Sequence, residues 1–285
     1  MSLNASHNER LPSPMELYYH GKHLATNSFE YGNKNLDKER SNNFEIGLMH
    51  RGDKVDYNLS AYYNRFKNYI HNETILRSGN LYARRYLQSE AKIYGVEGNI
   101  TYHINPQHQV KLFGDYVRGK LFNLPTIYGD KIYSEGYDCV DSDGYDDICH
   151  DVIGYQTLAR PNRNNPRTPP ARLGAQWKSE FNDHWSAVLD YTHVFAQKKT
   201  STSIYSKKSE DGDSLVGTNI HEDASKGYNA LNLAVDYKNK WQGLDYQLSL
   251  GANNLLNQDI YIHTSYLPYV PQIGRNYTAG LNLKF

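Results

Sequence analysis

Long apolar segments are missing from this sequence of 285 residues. Nowhere do roughly eighteen apolar residues follow one another, so the sequence excludes a transmembrane helix. Lysine and arginine balance aspartate and glutamate, which gives a formal net charge of +0. Without a basic surface the chain is not expected to bind nucleic acid. The N-terminal residues also lack the basic and apolar regions of a secretory signal.

Motifs for catalysis are equally scarce. The sequence has no glycine-rich phosphate loop, and no serine, histidine and carboxylate arrangement with supporting context, so an enzyme is not expected. There are only two cysteines, Cys139 and Cys149, and they lie close together in the sequence. Such a pair is compatible with a loop disulfide in an oxidising compartment.

Tyrosine, by contrast, is abundant. The chain has 26 tyrosines, a hydrophobic content of 39% and a mean hydropathy of −0.76. A barrel strand with one face on lipid and the other on a wet lumen is polar on average, and aromatic side chains gather at the two membrane boundaries. Composition alone therefore fits a transmembrane β-barrel, but it also fits a soluble, tyrosine-rich β-protein.

The C-terminal residues favour the barrel. Tyr277, Ala279, Leu281, Leu283 and Phe285 share one face of an extended chain, and mostly polar or small residues occupy the other face. A lipid-facing strand shows this pattern, because a bilayer-spanning backbone without helices must satisfy its hydrogen bonds in a closed barrel. Within this segment we predict a membrane-assembly signal for the barrel-assembly machinery, formed by Tyr277, Leu281, Leu283 and Phe285.

Period-two alternation with turn residues between the segments predicts an all-β fold of about nine antiparallel strands. The predicted strands lie at about residues 42–50, 54–66, 94–103, 110–121, 171–177, 187–195, 231–237, 244–252 and 276–285. Polar side chains on the other face of these strands, among them Glu97, His103, Asp115, Asp190 and Asp236, are expected to face the lumen.

Short and long connections alternate along the predicted strands. Long loops are predicted at about residues 67–85, 122–170, 197–226 and 255–273, and residues 1–41 are predicted to form an extracellular loop that leads into the barrel strands of residues 42–285. Barrels of the bacterial outer membrane have short periplasmic turns and long extracellular loops. This order predicts contact with outer-membrane lipid and a periplasmic C-terminus. Nine strands cannot close such a barrel, which needs an even number, so we expect part of a larger one.

Four blocks of sequence resemble the TonB-dependent outer-membrane receptors and occur in the order of that family. The first combines PSPMELY at residues 12–18, GNKNL at 32–36 and ERSNNFEIG at 39–47; the others are KIYGVE at 92–97, GANNLLN at 251–257 and residues 274–285. The resemblance implies the C-terminal part of a 22-stranded barrel without the N-terminal plug. It also implies that the TonB complex of the inner membrane drives transport through that missing plug.

Shorter stretches are most similar to the zinc-uptake receptors of this family. They lie at residues 16–26, 115–125, 170–174, 194–197 and 260–263. This similarity implies uptake of zinc across the outer membrane, with haem as a further cargo. A receptor for haem or a siderophore stays open as an alternative, and so does a passive porin or an adhesin.

Two histidines spaced three apart in the predicted first loop, His20 and His23, are candidate zinc ligands, because neutral imidazole is a common metal ligand. This spacing is not diagnostic by itself, and two solvated histidines are the alternative. His221, Glu222, Asp223 and His263 lie in later loops and can add weaker ligands.

The densest cluster of metal-binding residue types spans residues 138–151. Its carboxylates, thiols and imidazole attract divalent cations, and three structures are compatible with it: a zinc site, a calcium-like turn, or a disulfide that fixes the loop. The calcium loop lacks its twelfth-position glutamate. We favour a Cys139–Cys149 disulfide as scaffold, with Asp146, His150 and Asp151 as transient metal contacts.

Overall fold

The computed structural model describes residues 1–140, 143–210, 214–265 and 267–284. Its first part contains seven strands, one short α-helix and a 3₁₀ turn at Leu24–Thr26. The elements are β1 (Ser2–Arg10), α1 (Pro14–Tyr18), β2 (His20–His23), β3 (Ser28–Tyr31), β4 (Glu39–His50), β5 (Val55–Ser78), β6 (Leu81–Asn105) and β7 (His108–Phe122).

The remaining strands alternate between long members of the main sheet and short hairpins in the connections. In order they are β8 (Ile127–Tyr133), β9 (Tyr137–Val140), β10 (Asp146–Cys149), β11 (Val152–Leu158), β12 (Arg163–Asn164), β13 (Arg172–Glu180), β14 (Trp185–Val194), β15 (Thr202–Lys208), β16 (Leu215–His221), β17 (Tyr228–Trp241), β18 (Leu244–Asn253) and β19 (Asn276–Lys284).

Ten strands form the main path of one sheet in the order β1-β4-β5-β6-β7-β13-β14-β17-β18-β19. Every pair along this path is antiparallel. Three shorter strands join at the side: β12 pairs with β7, and the β2–β3 hairpin pairs through β3 with β6 in parallel. All nine strands predicted from the sequence are confirmed as members of the main path.

One face of this sheet is apolar and exposed. The register aligns the alternating apolar residues of neighbouring strands, for example Leu59 opposite Leu48 and Leu281 opposite Leu248. Because side chains alternate between faces along a strand, a matched register joins them into one continuous band. The band includes Phe44, Ile46, Leu48, Leu59, Val96, Ile100, Leu112, Leu173, Leu248, Leu250 and Leu281, all exposed.

The opposite face is polar and internally hydrogen-bonded. Asp236 accepts hydrogen bonds from Ser249 and from Gln247, the latter at 2.8 Å between Nε2 and Oδ1. Arg172 pairs with Asp115. The expected lumen-facing carboxylates therefore lie on a face where polar groups satisfy one another.

The two ends of the sheet differ in their connections. At the short-turn end, turns at residues 51–54, 106–107, 181–184 and 242–243 join neighbouring strands. Gln242 and Gly243 both have positive φ, 49° and 86°, as a tight hairpin turn requires. At the long-loop end, the connections 11–38, 123–171, 195–227 and 254–275 carry the remaining short elements.

The structure corrects the sequence prediction in two places. Residues 2–10, predicted as part of an extracellular loop, form β1, the tenth strand, which pairs with β4 along its whole length. Residues 67–85, predicted as a loop, largely continue β5 and β6 into a long hairpin that turns at Gly79, where φ is 58°. Register irregularities between Phe66 and Tyr69 and between Thr74 and Leu76 interrupt the period-two pattern, and this hid the strands.

The only hydrophobic cluster of buried residues in the described ranges is small. Ala91, Leu121 and Leu124 form it, and Phe66 and Tyr69 pack against it. It lies where β5, β6 and β7 pass from the apolar band towards the long-loop end. Most other buried residues are polar or charged, so the interior at this end depends on hydrogen bonds.

Helices contribute little to the fold. In α1, Ser13 is the N-cap, and it forms a capping box with Glu16, whose carboxylate accepts from the Ser13 N–H at 2.7 Å. No helix in the described part of the chain has the length and apolarity that a membrane crossing needs.

Candidate functional site

The connections at the long-loop end enclose a cavity of about 730 Å³. Its wall combines the ends of the β5–β6 hairpin with parts of the four long connections. This volume lies in the range of about 300–1,000 Å³ that is usual for small-molecule sites. Its polar lining includes four histidines, three arginines and three carboxylates, which are His23, His71, His221, His263, Arg77, Arg84, Arg167, Glu30, Glu222 and Asp223, and tyrosines that include Tyr69, Tyr82, Tyr86, Tyr261 and Tyr269.

His71 lies on the cavity wall in the part of β5 beyond the apolar band. Its imidazole stacks on Tyr69, with ring centroids 6.3 Å apart, and its side chain is 3% exposed. Among the described residues neither ring nitrogen has a hydrogen-bond partner. Burial, together with the charges of Arg163 and Arg160, lowers the pKa of His71 to about 3. The imidazole is therefore neutral near pH 7, and each unsatisfied nitrogen costs about 1–3 kcal/mol.

An ion pair is buried next to this histidine. Glu73, on the same face of β5 as His71, receives a hydrogen bond from the guanidinium of Arg163 on β12. The two side chains are 1% and 4% exposed. Arg163 also donates through Nη1 to the carbonyl oxygen of Thr202 at 3.3 Å. The pair thus ties the β5–β6 hairpin to two of the long connections.

His263 approaches the same cavity from the connection between β18 and β19. Its side chain is 4% exposed, and Nε2 lies 3.6 Å from Oε1 of Glu222. Within the described ranges this nitrogen has no hydrogen-bond partner. Burial lowers the pKa of His263, against the opposing charge of Glu222 and with the help of Arg167. This imidazole is also predominantly neutral near pH 7.

The cavity carboxylates already have partners. Glu222 accepts backbone N–H bonds from Arg167 at 2.6 Å and from Ser201 at 2.8 Å. Glu30 accepts from the hydroxyl of Ser28 at 2.9 Å. A buried carboxylate needs hydrogen bonds to offset its lost hydration. Here the donors are loop residues, so the same bonds also hold the loops together.

Tyr86 and Glu30 are also close to each other. The Tyr86 hydroxyl lies 3.5 Å from Oε2 of Glu30. Burial, assisted by the negative charges of Glu30 and Glu16, raises the pKa of Tyr86 to about 12. The phenol stays protonated and serves the cavity as a hydrogen-bond donor.

An ion pair crosses from the hairpin to the next loop. Arg77 donates through both terminal nitrogens to Asp223, at 3.0 and 2.6 Å, and the Arg77 guanidinium lies 5.4 Å from the ring centroid of Tyr82. The Arg84 guanidinium also lies over the Tyr82 ring, 4.9 Å from the same centroid. Planar guanidinium groups favour such two-point contacts and ring stacking.

The predicted ligand pair His20 and His23 does not converge on one point. Residues three apart in an extended strand face opposite sides, and His20 packs edge-on against Phe29 and Tyr31, with centroids 5.3 and 5.0 Å away. His23 reaches the cavity, and its Nδ1 lies 2.9 Å from the hydroxyl of Thr26. A metal role for the two stays a prediction, now centred on His23.

Within the acidic segment of residues 138–151, β9 and β10 pair as a separate two-stranded sheet, called the acidic hairpin below. A disulfide joins Cys139 to Cys149, with Cα atoms 5.8 Å apart. The calcium-like alternative uses the sequence Asp-Ser-Asp-Gly at residues 141–144, and its first residue, Asp141, lies outside the described residues. The disulfide closes the hairpin at its two strands, which is the scaffold that the sequence prediction favoured.

The other predicted contacts in this hairpin are exposed and engage nearby loop atoms. The Nδ1–H of His150 donates to the carbonyl oxygen of Ser134 at 3.1 Å, and the backbone N–H of Asp151 donates to the Ser134 hydroxyl at 3.0 Å. Asp146 pairs with Val140 in the hairpin register. No three side chains of His, Cys, Asp or Glu in the described parts of the chain lie close enough together to hold a metal ion. The metal role of these residues remains a prediction.

The predicted membrane-assembly signal lies on β19. Tyr277, Leu281 and Leu283 are exposed there, at 69%, 60% and 42%. Leu281 and Leu283 face Leu248 and Tyr246 of β18, so they extend the apolar band to the last strand. Phe285 lies outside the described residues, and the signal function stays a prediction.

Sequence reasoning missed His71, Glu73 and Arg163. Tyr69, His71 and Glu73 do alternate along β5, and this signal was available in the sequence. The register irregularity after Phe66 separated it from the alternation of the preceding strand, so it was taken as a loop. Arg163 gave no such signal, because its partner Glu73 is 90 residues away along the chain.

Comparison with solved structures identifies the same arrangement of strands. The copper transporter OprC matches with a TM-score of 0.66 at 17% identity, and the alignment covers 98% of this chain and 36% of OprC. The FrpB iron transporter from Neisseria meningitidis matches with 0.54 at 14% identity, covering 89% and 32%. The siderophore receptor PirA from Acinetobacter baumannii matches with 0.53 at 15% identity, covering 98% and 38%. The chain thus spans about a third of the length of each.

The family model of the TonB dependent receptor-like β-barrel matches residues 2–255 of the chain. This stretch contains nine of the ten strands of the main path, together with the cavity wall apart from residues 261–269. A lipid-facing apolar band, a polar inner face and long loops at one end are what such a barrel requires. The chain therefore belongs to the β-barrel family of TonB-dependent receptors.

Proposed function

We propose that this chain is part of a receptor that takes up zinc across the outer membrane. The long-loop end faces the exterior in this proposal, and the C-terminus lies in the periplasm. Cargo enters the cavity, and the TonB complex supplies energy through the plug domain of the receptor. Outer-membrane lipid surrounds the apolar band, and the barrel-assembly machinery inserts it.

The observation that carries this proposal is the set of four imidazoles on the wall of a single cavity. Imidazole nitrogen is a preferred ligand of zinc and of other late first-row transition metals. The stretches that resemble zinc-uptake receptors, and the receptor ZnuD in particular, include two of these histidines, His23 and His263. Copper, iron and siderophore receptors share the fold, and the imidazoles favour zinc or copper over bare ferric iron.

The test is uptake of radioactive zinc by the bacterium under zinc limitation, with and without the gene. Deletion is expected to lower initial uptake at least fivefold, and a protonophore is expected to lower it equally, because the TonB complex depends on the proton gradient. Unchanged zinc uptake in the deletion strain would refute the proposal. Insensitivity to the protonophore would indicate a passive porin instead.

Haem or a siderophore is the second candidate cargo. The volume of about 730 Å³ and the tyrosines and arginines of the cavity suit an organic ligand with negative charge. A deletion strain that loses growth on haem iron, while its zinc uptake stays normal, would favour this candidate. Haem added to the purified receptor would then shift its absorbance on binding.

The acidic hairpin is proposed to attract cations before they reach the cavity. Clustered negative charge raises the local concentration of cations, and at physiological ionic strength salt screens this effect beyond about 8–10 Å. Replacing Asp146 and Asp151 by Asn and His150 by Gln is expected to slow uptake two- to fivefold at low ionic strength, with little effect at 0.5 M salt. An equal loss at both salt concentrations would contradict electrostatic attraction of cations by the hairpin.

The double variant His20→Gln and His23→Gln serves as a separate test of the first loop.

A further inference from the structure

Four residues of the cavity lining carry buried polar atoms without a hydrogen-bond partner among the described residues: His71, His263, Asn72 at Oδ1 and Ser201 at Oγ. His71 and His263 are 3% and 4% exposed at their side chains, yet three of their ring nitrogens have no hydrogen-bond partner among the described residues. Buried polar atoms are nearly always paired, and an exception calls for an explanation. Both side chains line the same cavity. A ligand that enters the cavity can supply the missing partners.

The carboxylates of the cavity are committed elsewhere. Glu222 accepts two backbone N–H bonds, Glu30 accepts hydroxyl bonds, and Asp223 pairs with Arg77. Glu73, next to His71, binds Arg163 through Oε2; its Oε1 has no hydrogen-bond partner among the described residues, but Glu73 is not part of the cavity lining. Among the described residues, the unpartnered buried atoms of the cavity lining are therefore three imidazole nitrogens, one amide oxygen and one hydroxyl, and none is a carboxylate oxygen. Nitrogen donors of this type bind borderline metals such as zinc, copper and nickel in preference to calcium or magnesium.

A purely structural role explains these histidines less well. A histidine with a purely structural role normally donates its one N–H to a carbonyl or carboxylate, as even the exposed His184 does to the carbonyl oxygen of Lys238 at 2.8 Å. His71 makes no such bond, although it stacks on Tyr69. An aromatic hydrocarbon side chain would fill this position at lower cost.

We propose that His71 and His263 are the residues that contact the metal cargo, each through one ring nitrogen. This inference rests on the proposed function and names the residues that perform it. Two imidazoles fill half of the four positions that zinc usually has, and the described residues offer no cluster of three ligands. The metal therefore retains at least two ligands of its own in this site. A cavity far larger than a bare ion has room for them.

Zinc titration of the receptor, purified in detergent from outer membranes, tests the assignment. The probes are zinc chloride by calorimetry, and one equivalent of Cu²⁺ by pulsed electron paramagnetic resonance, which counts bound imidazoles. We expect His71→Gln and His263→Gln each to weaken zinc binding at least tenfold and to remove one imidazole from the Cu²⁺ signal. His184→Gln, at the short-turn end, is the matched control and should bind as the wild type does.

The outcomes separate the two proposals. Zinc binding in the wild type that survives unchanged in both His71→Gln and His263→Gln would overturn this inference, and the uptake function would then depend on other residues. A wild type that binds neither ion would refute both. To exclude misfolding, His71→Phe keeps the ring stack on Tyr69, so this variant should lose binding while its heat-modifiable mobility on gels stays normal. Retained binding in His71→Phe would also count against the assignment.

Discussion

The apolar band of the sheet and the cavity at its long-loop end differ in how much each residue depends on a particular partner. In the band, Leu248 is 45% exposed and Leu281 opposite it 60% exposed, so in the proposed membrane location lipid forms much of the surroundings of each. In the cavity region, Glu73 is 1% exposed, and its charge is offset by one guanidinium. A band position needs only an apolar side chain, whereas a cavity position needs a specific one.

This contrast arises because the proposed surroundings of the band are lipid, whereas the cavity residues are surrounded by other parts of the chain. Lipid accepts any apolar surface, and the backbone hydrogen bonds of the sheet are complete without the side chains. At the long-loop end the chain leaves the sheet and must be held by side-chain contacts, such as Arg163 to the carbonyl of Thr202 and Glu222 to two backbone N–H groups. Tolerance to substitution should therefore fall sharply between the two regions.

The largest effect is expected from Arg163→Met. The change leaves the Glu73 carboxylate buried without its partner, which typically costs about 3–5 kcal/mol. Amide hydrogen exchange should show this loss locally, in β12 and in the half of β5 that carries Glu73, while the strands of the band stay protected. The double variant Arg163→Met with Glu73→Leu removes both charges and should recover most of the loss. If the double variant is as unstable as the single one, the buried charge is not the cause.

A smaller effect is expected from a charge placed in the apolar band. Leu248 lies near the middle of β18, and Leu248→Arg should lower the free energy of unfolding in phospholipid bilayers by about 2–4 kcal/mol. Gln247→Arg, one residue away on the polar face, should change it by less than about 0.5 kcal/mol, because Asp236 there accepts hydrogen bonds from position 247. Urea titration of both variants measures the difference. Equal losses would mean that position 248 does not face lipid.

The same contrast explains what could be predicted from the sequence. The nine predicted strands were correct because one apolar and one polar face impose a period of two on each strand independently of its neighbours. Strand β1 escaped prediction, since Leu3 and Ala5 are its only apolar residues on the face that pairs with Ile46 and Phe44. Here the register with β4 identifies the strand, and register is not visible in one segment alone.

The candidate site could be predicted only in part. His23, His221 and His263 stood out as histidines in loops, and the structure brings them to one cavity together with His71. Their convergence depends on how three connections fold over the end of the sheet, which no local pattern encodes. The acidic hairpin was conspicuous in sequence but lies in its own two-stranded sheet. The density of ligand-type residues in the sequence therefore located the candidate site less well than burial in the structure did.

The smallest effect concerns a partly exposed charge at the long-loop end. Burial by itself would raise the pKa of Glu16, but hydrogen bonds from Arg10 and from the Ser13 backbone outweigh it and hold the pKa below its usual value. Glu16→Gln keeps an acceptor for the capping box and removes the charge that binds Arg10 at 2.8 Å. We expect a loss of at most about 1 kcal/mol near pH 7, seen as faster hydrogen exchange in α1.

The lowered pKa of Glu16 determines how its contribution to stability changes with pH. Because the carboxyl group has a lower pKa in the folded protein than in the unfolded chain, its contribution is complete above the unfolded pKa near 4.5. It is lost as the pH falls through the lower folded value, since Glu16 then becomes protonated in both states. The difference in α1 exchange between wild type and Glu16→Gln should therefore be constant from pH 6 to 8 and should vanish in stronger acid. A difference that persists unchanged at low pH would show that shape, and not charge, holds α1 against Arg10.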